Sequence, residues 1–299
     1  MKRPSLLSAV KSGKILVSDG AWGTQLQQQG LRPGQCPEEW CLRHPEAIKA
    51  IARNYVEAGA DMVQTNSFGA NRYKLGHYGL SHLCAVINRE AARLSREAAG
   101  DDHWVIASMG PTGKILMMGE VTEEDLYLAF KEQAVALAEG GADALCIETM
   151  TDIDEARIAI RAAKENTPCE VICTFTFDKT VQGDYRTIMG VSPAEATQTA
   201  VEAGAGVAGT NCGNGIVRMV EIVKEIRTAF PSLPLLVHAN AGLPVYKDGQ
   251  HIFPDTPGFM AGWVKDLIEA GANIIGGCCG TTPAHIQAIR KAVNEATGK

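Results

Sequence analysis

Glu57-Ala58-Gly59-Ala60-Asp61 returns, with small changes, as Glu139-Gly140-Gly141-Ala142-Asp143, Glu202-Ala203-Gly204-Ala205-Gly206 and Glu269-Ala270-Gly271-Ala272-Asn273. Each copy follows a helical pattern and precedes a short apolar run. It reads as a helix end, a glycine suited to the left-handed C-cap, and entry into a strand. The copies lie 82, 63 and 67 residues apart, room for two βα units per interval. Two units, four times over, predict eight strands alternating with eight helices.

The flanking sequence agrees. Short apolar runs predict strands over 15–19, 62–66, 104–109, 144–149, 171–177, 206–212, 235–240 and 273–277. Their near-continuous hydrophobicity suits parallel strands covered on both faces. Helical patterns fill the intervals, among them 45–58, 122–139, 152–164 and 193–203, several opened by Ser, Thr or Asp followed by Pro or acids. The predicted fold is a (β/α)8 TIM barrel in the α/β class, one domain over 1–299. A doubly wound open sheet is the rival, but no Gly-x-Gly-x-x-Gly turn follows the first strand.

With 45% hydrophobic and 21% charged residues, the 299-residue chain can bury a large core. Its net charge of −6 argues against nucleic acid as a partner. Membrane insertion is not expected: the longest run without Asp, Glu, Lys or Arg, 270–289, is rich in glycine and contains Pro283. No targeting segment stands out at the start, so a cytoplasmic location is expected. Nine cysteines in a large chain then imply mostly reduced thiols. Cys146, Cys169 and Cys173 lie in apolar runs and read as small buried hydrophobes, and Cys36, Cys41 and Cys84 form no pattern. Cys212 and the adjacent pair Cys278-Cys279 remain.

In a barrel of this kind, catalytic groups sit where strands end and βα loops begin. Those positions hold Asp19, Thr65, Asn66, Gly110, Glu148, Cys212, Asn240, Cys278 and Cys279. Neighbours in a regular strand face opposite ways, so Cys278 and Cys279 can share a site only if the eighth strand breaks. Gly276, Gly277 and Gly280 are expected to supply that freedom. Three thiolates suit zinc, with the fourth position open for a substrate. Buried, unrelated core thiols are the competing reading. Asp19 can equally serve the Asp-Gly turn, and Glu148 can pair with a surface arginine. His238 reads as a satisfied core or near-site histidine, not a ligand, and Met117-Met118 as core or loop packing ahead of a docking surface or lid.

Asp19-Gly20-Ala21-Trp22-Gly23-Thr24, Gln64-Thr65-Asn66-Ser67-Phe68, Glu148-Thr149, Asn211-Cys212, Asn240-Ala241-Gly242 and Gly276-Gly277-Cys278-Cys279-Gly280 occur in this order. Together they resemble the homocysteine S-methyltransferase family, above all the homocysteine-binding module of cobalamin-dependent methionine synthase. The resemblance implies Zn²⁺ on Cys212, Cys278 and Cys279, with Asn240 able to take the fourth site until a thiol displaces it. It implies that Asp19 and Glu148 hold the amino acid part of a small thiol substrate, while Gly20, Ala21, Thr65 and Asn66 orient its carboxylate. Zinc would keep the thiol ionised at neutral pH, although a free thiol has a pKa of about 8.5. The implied donor is a methylcorrinoid on a separate corrinoid protein, since no Asp-x-His-x-x-Gly element occurs here. A thioether demethylase running the transfer in reverse, or an S-methylmethionine-type homocysteine methyltransferase, are the alternatives.

Overall fold

A computed structural model describes residues 3–247 and 250–298. Eight parallel strands make one sheet: β1 (Leu16–Val17), β2 (Met62–Gln64), β3 (Trp104–Met109), β4 (Ala144–Met150), β5 (Glu170–Phe175), β6 (Val207–Gly215), β7 (Leu235–Asn240) and β8 (Ile274–Gly277). They pair in sequence order from β2 to β8, and β8 pairs with β1. The Asp61 amide donates to Val17 O at 2.7 Å, and the Val17 amide donates to Asp61 Oδ2 at 2.7 Å. Those bonds join β1 to the entrance of β2 and bring the sheet round into a (β/α)8 barrel. Outside it run α1 (Pro45–Glu57), α2 (Cys84–Ala99), α3 (Glu123–Glu139), α4 (Ile153–Asn166), α5 (Pro193–Ala203), α6 (Ile216–Ala229), α7 (Val264–Ala270) and α8 (Pro283–Thr297). Thr122 with Asp125, and Ser192 with Glu195, form reciprocal capping boxes that fix the starts of α3 and α5.

The repeated pentapeptide does what its spacing predicts. Gly59, Gly141, Gly204 and Gly271 all have positive φ, between 96° and 109°, a conformation costly for any residue with a Cβ. Three copies carry a further brace. Arg290 donates to Gly59 O and to Asp61, Arg96 to Gly141 O and to Asp143, and Arg227 to Gly271 O and to Asn273. The Asp or Asn side chain in turn accepts the backbone amide of Val17, Val105 or Leu235. An arginine from a helix thus fastens each turn to the neighbouring strand. Gly206 replaces the acid in the remaining copy.

Inside the barrel the side chains form layers. Leu16, Met62, Ile106, Cys146, Ile172, Leu236 and Ile274 pack with Leu6, Ala9 and Val10 of an N-terminal helix, Leu6–Lys11, which plugs the bottom. Two residues further along the strands the filling turns polar: Ser18, Gln64, Ser108, Glu148, Thr174, Asn211 and His238 are all buried. The structure shortens the expected first and second strands, whose ends turn into loops that carry the site, ends the fifth at Phe175 and starts the eighth one residue later, at Ile274. It lengthens the sixth to Gly215 and adds hairpins at Asp178–Lys179 with Tyr185–Arg186 and at Val245–Lys247 with Gln250–Ile252. Met117 and Met118 do not pack: they are 83% and 72% exposed on a one-turn 3₁₀ helix after β3.

Candidate metal and substrate site

Cys212, Cys278 and Cys279 meet at the C-terminal mouth of the barrel, half-buried, with their sulfurs all within 4.8 Å of one another. Cys212 Sγ and Cys279 Sγ are 3.9 Å apart. Zinc–sulfur bonds of about 2.3 Å in a tetrahedron place sulfurs about 3.8 Å apart, so the spacing fits one zinc ion. Two backbone devices create it. Cys212 has φ 57°, and Gly213 after it 69°, which swings the end of β6 out of its ladder. Cys278 and Cys279 sit in a turn beyond β8, where the Thr281 amide donates to Cys278 O at 3.1 Å and Gly280 has φ 81°.

The expected role of Gly276 and Gly277 needs correction: of the three glycines, only Gly280 has positive φ. Gly276 and Gly277 are required for space. A Cβ on Gly277 would lie 2.3 Å from Thr281 Oγ1, and one on Gly276 would lie 2.7 Å from Asp19 O. That Thr281 hydroxyl donates to Cys278 O at 2.8 Å and accepts the Ala21 amide at 3.0 Å. It ties the cysteine turn to the loop after β1.

Electrostatically the three thiols form one hydrogen-bonded cluster in which Cys212 is the most acidic. Hydrogen bonds from the Cys278 and Cys279 thiols pull Cys212 down to about 3. The reciprocal effect of Cys212 raises both partners, Cys279 to about 12. Asn240, at the end of β7, has its amide against the Cys212 sulfur, while its own buried Oδ1 has no hydrogen-bond partner. Three sulfurs with an unpaired amide oxygen on a side chain that touches one of them are donor types that zinc accepts.

Across the same mouth lie the two carboxylates. Asp19 Oδ2 accepts Trp22 Nε1 at 2.9 Å and the Gln64 amide at 2.7 Å. Glu148 accepts Gln64 Nε2 at 2.8 Å and the Ser108 hydroxyl. Gln64 therefore bridges both acids, one through its backbone and one through its side chain. Burial raises each to about 7, against this inward hydrogen bonding. Glu148 is 6% exposed among neutral partners, which removes the reading of a surface ion pair. Desolvation likewise lowers His238 to about 4, leaving a neutral buried imidazole whose Nε2 has no partner.

The remaining expected contacts are partly committed elsewhere. Thr65 Oγ1 accepts the Ser108 amide at 3.0 Å and meets Ser67 Oγ at 2.5 Å. Asn66 Nδ2 donates to Pro37 O at 2.7 Å. Tyr55, from α1, donates to Ala21 O at 2.7 Å and packs so close to Gly20 that a Cβ there would lie 3.0 Å from its hydroxyl. These residues shape the loops around the mouth. Sequence reasoning missed Gln64, Ser108, Trp22 and Thr281. Ser108 carried a signal, a single polar residue in an otherwise apolar strand.

Residues 16–293 match the homocysteine S-methyltransferase family. Methionine synthases of Mycobacterium tuberculosis and Mycobacterium leprae are 32% and 31% identical over 298 and 294 residues, 95% and 94% of this chain. The chain spans only 25% and 24% of their lengths. The metallated form of the homocysteine methyltransferase MmuM from Escherichia coli superposes with a TM-score of 0.79 at 23% identity, covering 95% of this chain and 98% of that one. That likeness supports the barrel. On the match running through all eight strands, and on the level of identity to the mycobacterial proteins, the chain belongs to the homocysteine S-methyltransferase family.

Proposed function

We propose that the chain binds zinc through Cys212, Cys278 and Cys279 and transfers a methyl group to the sulfur of homocysteine or a closely related thiol, giving methionine. The observation that carries this is one mouth holding three sulfurs within 4.8 Å of one another and two buried carboxylates with neutral partners. Zinc, when bound, supplies Lewis-acid stabilisation of a substrate thiolate at neutral pH.

The chain's own groups do the rest. Asp19 and Glu148 lie in a site rich in potential negative charge, which favours a ligand bearing an ammonium group. Gln64 keeps both acids facing the mouth. The loops at Gly20–Ala21 and Thr65–Asn66 border the substrate carboxylate, although the Ala21 amide is already donated to Thr281. Asn240, whose side chain meets Cys212, turns its unpaired Oδ1 to the metal and takes the fourth position in the absence of a thiol. The donor in this reading is a methylcorrinoid presented by a corrinoid protein, a reading supported by similarity to methionine synthases of which the chain spans a quarter.

The test is methyl transfer to homocysteine and related thiols from methylcobalamin, S-methylmethionine and betaine, with zinc measured in the same sample. Thiol-dependent demethylation of methylcobalamin by zinc-loaded protein is expected. Zinc-loaded protein that methylates no thiol from any donor would overturn the reading. Preference for S-methylmethionine or betaine would replace only the donor.

A further inference from the structure

The pairs Glu148-Thr149 and Asn211-Cys212 each contain one residue that the proposed function uses and one that it does not. The two unused residues hold each other. Asn211 Oδ1 accepts the Thr149 amide at 2.8 Å, and Asn211 Nδ2 donates to Thr149 Oγ1 at 2.7 Å. Thr174 Oγ1 donates to the same Asn211 Oδ1 at 2.8 Å, and Thr176 Oγ1 to Asn211 O at 2.9 Å. Asn211 is 1% exposed.

The backbone marks this contact as special. Among the described residues, Thr149 (φ 61°) and Cys212 (φ 57°) are the non-glycine residues with positive φ. A β-branched residue adopts that conformation only when its surroundings impose it. The β4–β5 ladder shifts register between Ile147 and Met150, and the β6–β7 ladder between Asn211 and Gly215. Both strands therefore leave regular geometry at the Asn211–Thr149 contact, one beside Glu148 and the other at Cys212.

We propose that Asn211 and Thr149 form a positioning clasp that fixes the distance between the Cys212 sulfur and the Glu148 carboxylate. Resting on the proposed function, the clasp matches the site to a thiol whose amino group lies a set number of bonds from its sulfur. It selects for chain length without touching the substrate.

The test compares two thiols on the cobalt-substituted protein, using the change in the cobalt spectrum to measure Kd. Homocysteine spans both halves of the site, whereas propanethiol reaches only the metal. Thr149→Val should bind the metal at wild-type stoichiometry, weaken homocysteine about tenfold and leave propanethiol within about twofold, in line with the effect of removing an outer-sphere support. Thr149→Ser, which keeps the hydroxyl, should restore homocysteine binding. Equal weakening of both thiols, or of neither, overturns the clasp. If Thr149→Val does not fold, the isosteric Asn211→Asp carries the same comparison.

A wild-type protein that binds homocysteine no better than propanethiol would instead remove the functional reading. The clasp is then read in the metal-free protein from hydrogen exchange. The Thr149 amide should exchange about tenfold faster in Asn211→Ala, and an unchanged rate would sink the proposal.

Discussion

At the bottom of the barrel, Arg290, Arg96 and Arg227 each join a glycine carbonyl, an Asp or Asn side chain and the next strand; at the mouth, Asp19 and Glu148 are buried with neutral partners only. The bottom repeats one solution three times, and in two of the copies it pairs cation with anion within the chain. The mouth repeats nothing. It gathers groups able to carry negative charge, and it leaves His238 Nε2 and Asn240 Oδ1 buried without partners. One end pairs most of its charges within the chain, and the other, on the proposed reading, receives its positive charge from zinc and a substrate ammonium. In a barrel enzyme, stability and chemistry divide between the ends in this way.

The sharpest way to break that division is at the sulfurs. Cys212→Ala, Cys278→Ala and Cys279→Ala should each lose zinc and activity together, read by elemental analysis and methyl transfer. Full zinc in two of the three would refute the ligand assignment. Next, Glu148→Gln should keep its zinc and raise KM for homocysteine about 10- to 100-fold, as expected for losing a charge-assisted hydrogen bond. An unchanged KM would remove Glu148 from substrate binding.

Arg290→Met probes the other end. It should cost roughly 1–3 kcal/mol, because Asp61 and Gly59 O lose a shared donor, with Tm falling and KM unmoved. A shift in KM of similar size would mean that the two ends are not separable.

Asp19 and Glu148 move from ordinary values of 3.8 and 4.5 up to about 7 in the fold. Between those limits the folded protein holds more protons than the unfolded chain, so stability falls as pH rises. Their contribution is full below the unfolded values and gone above about 7. Cys212 and His238, lowered by the fold, act in the opposite sense, so the advantage in Tm of metal-free wild type over Glu148→Gln, not the total Tm, should shrink from pH 5 to pH 8. An advantage that grows over that range would contradict the burial assigned to Glu148.

The contrast also explains what the sequence could tell. Helix ends are local: a glycine in the left-handed region and its flanking residues occupy five positions, so four copies betrayed the barrel. The strands over Trp104–Met109 and Leu235–Asn240 were legible to the residue because both faces are buried. β1 came out at two residues, not five, since its end bends into the Asp19 loop. The three cysteines and two acids stood out as sulfur or charge at the ends of apolar runs. Gln64 and Thr281 did not, because their work is to join elements 84 and 260 residues apart, Gln64 to Glu148 and Thr281 to Ala21. The role of Gly277 was mistaken for the same reason: its constraint is the bulk of Thr281, which no local pattern announces.

The helix Leu6–Lys11 across the bottom has a kinetic meaning. It makes the barrel a cup with one rim, so whatever enters must leave by the same opening. On the proposed reading, acceptor and donor then cannot pass one another. Thiol must load first, the donor must close over it, and the finished thioether is held until the donor withdraws. On that reading a fixed order of arrival and departure follows from the closed floor of the barrel, the strand side chains and Leu6–Lys11 packed together at the far end from the chemistry.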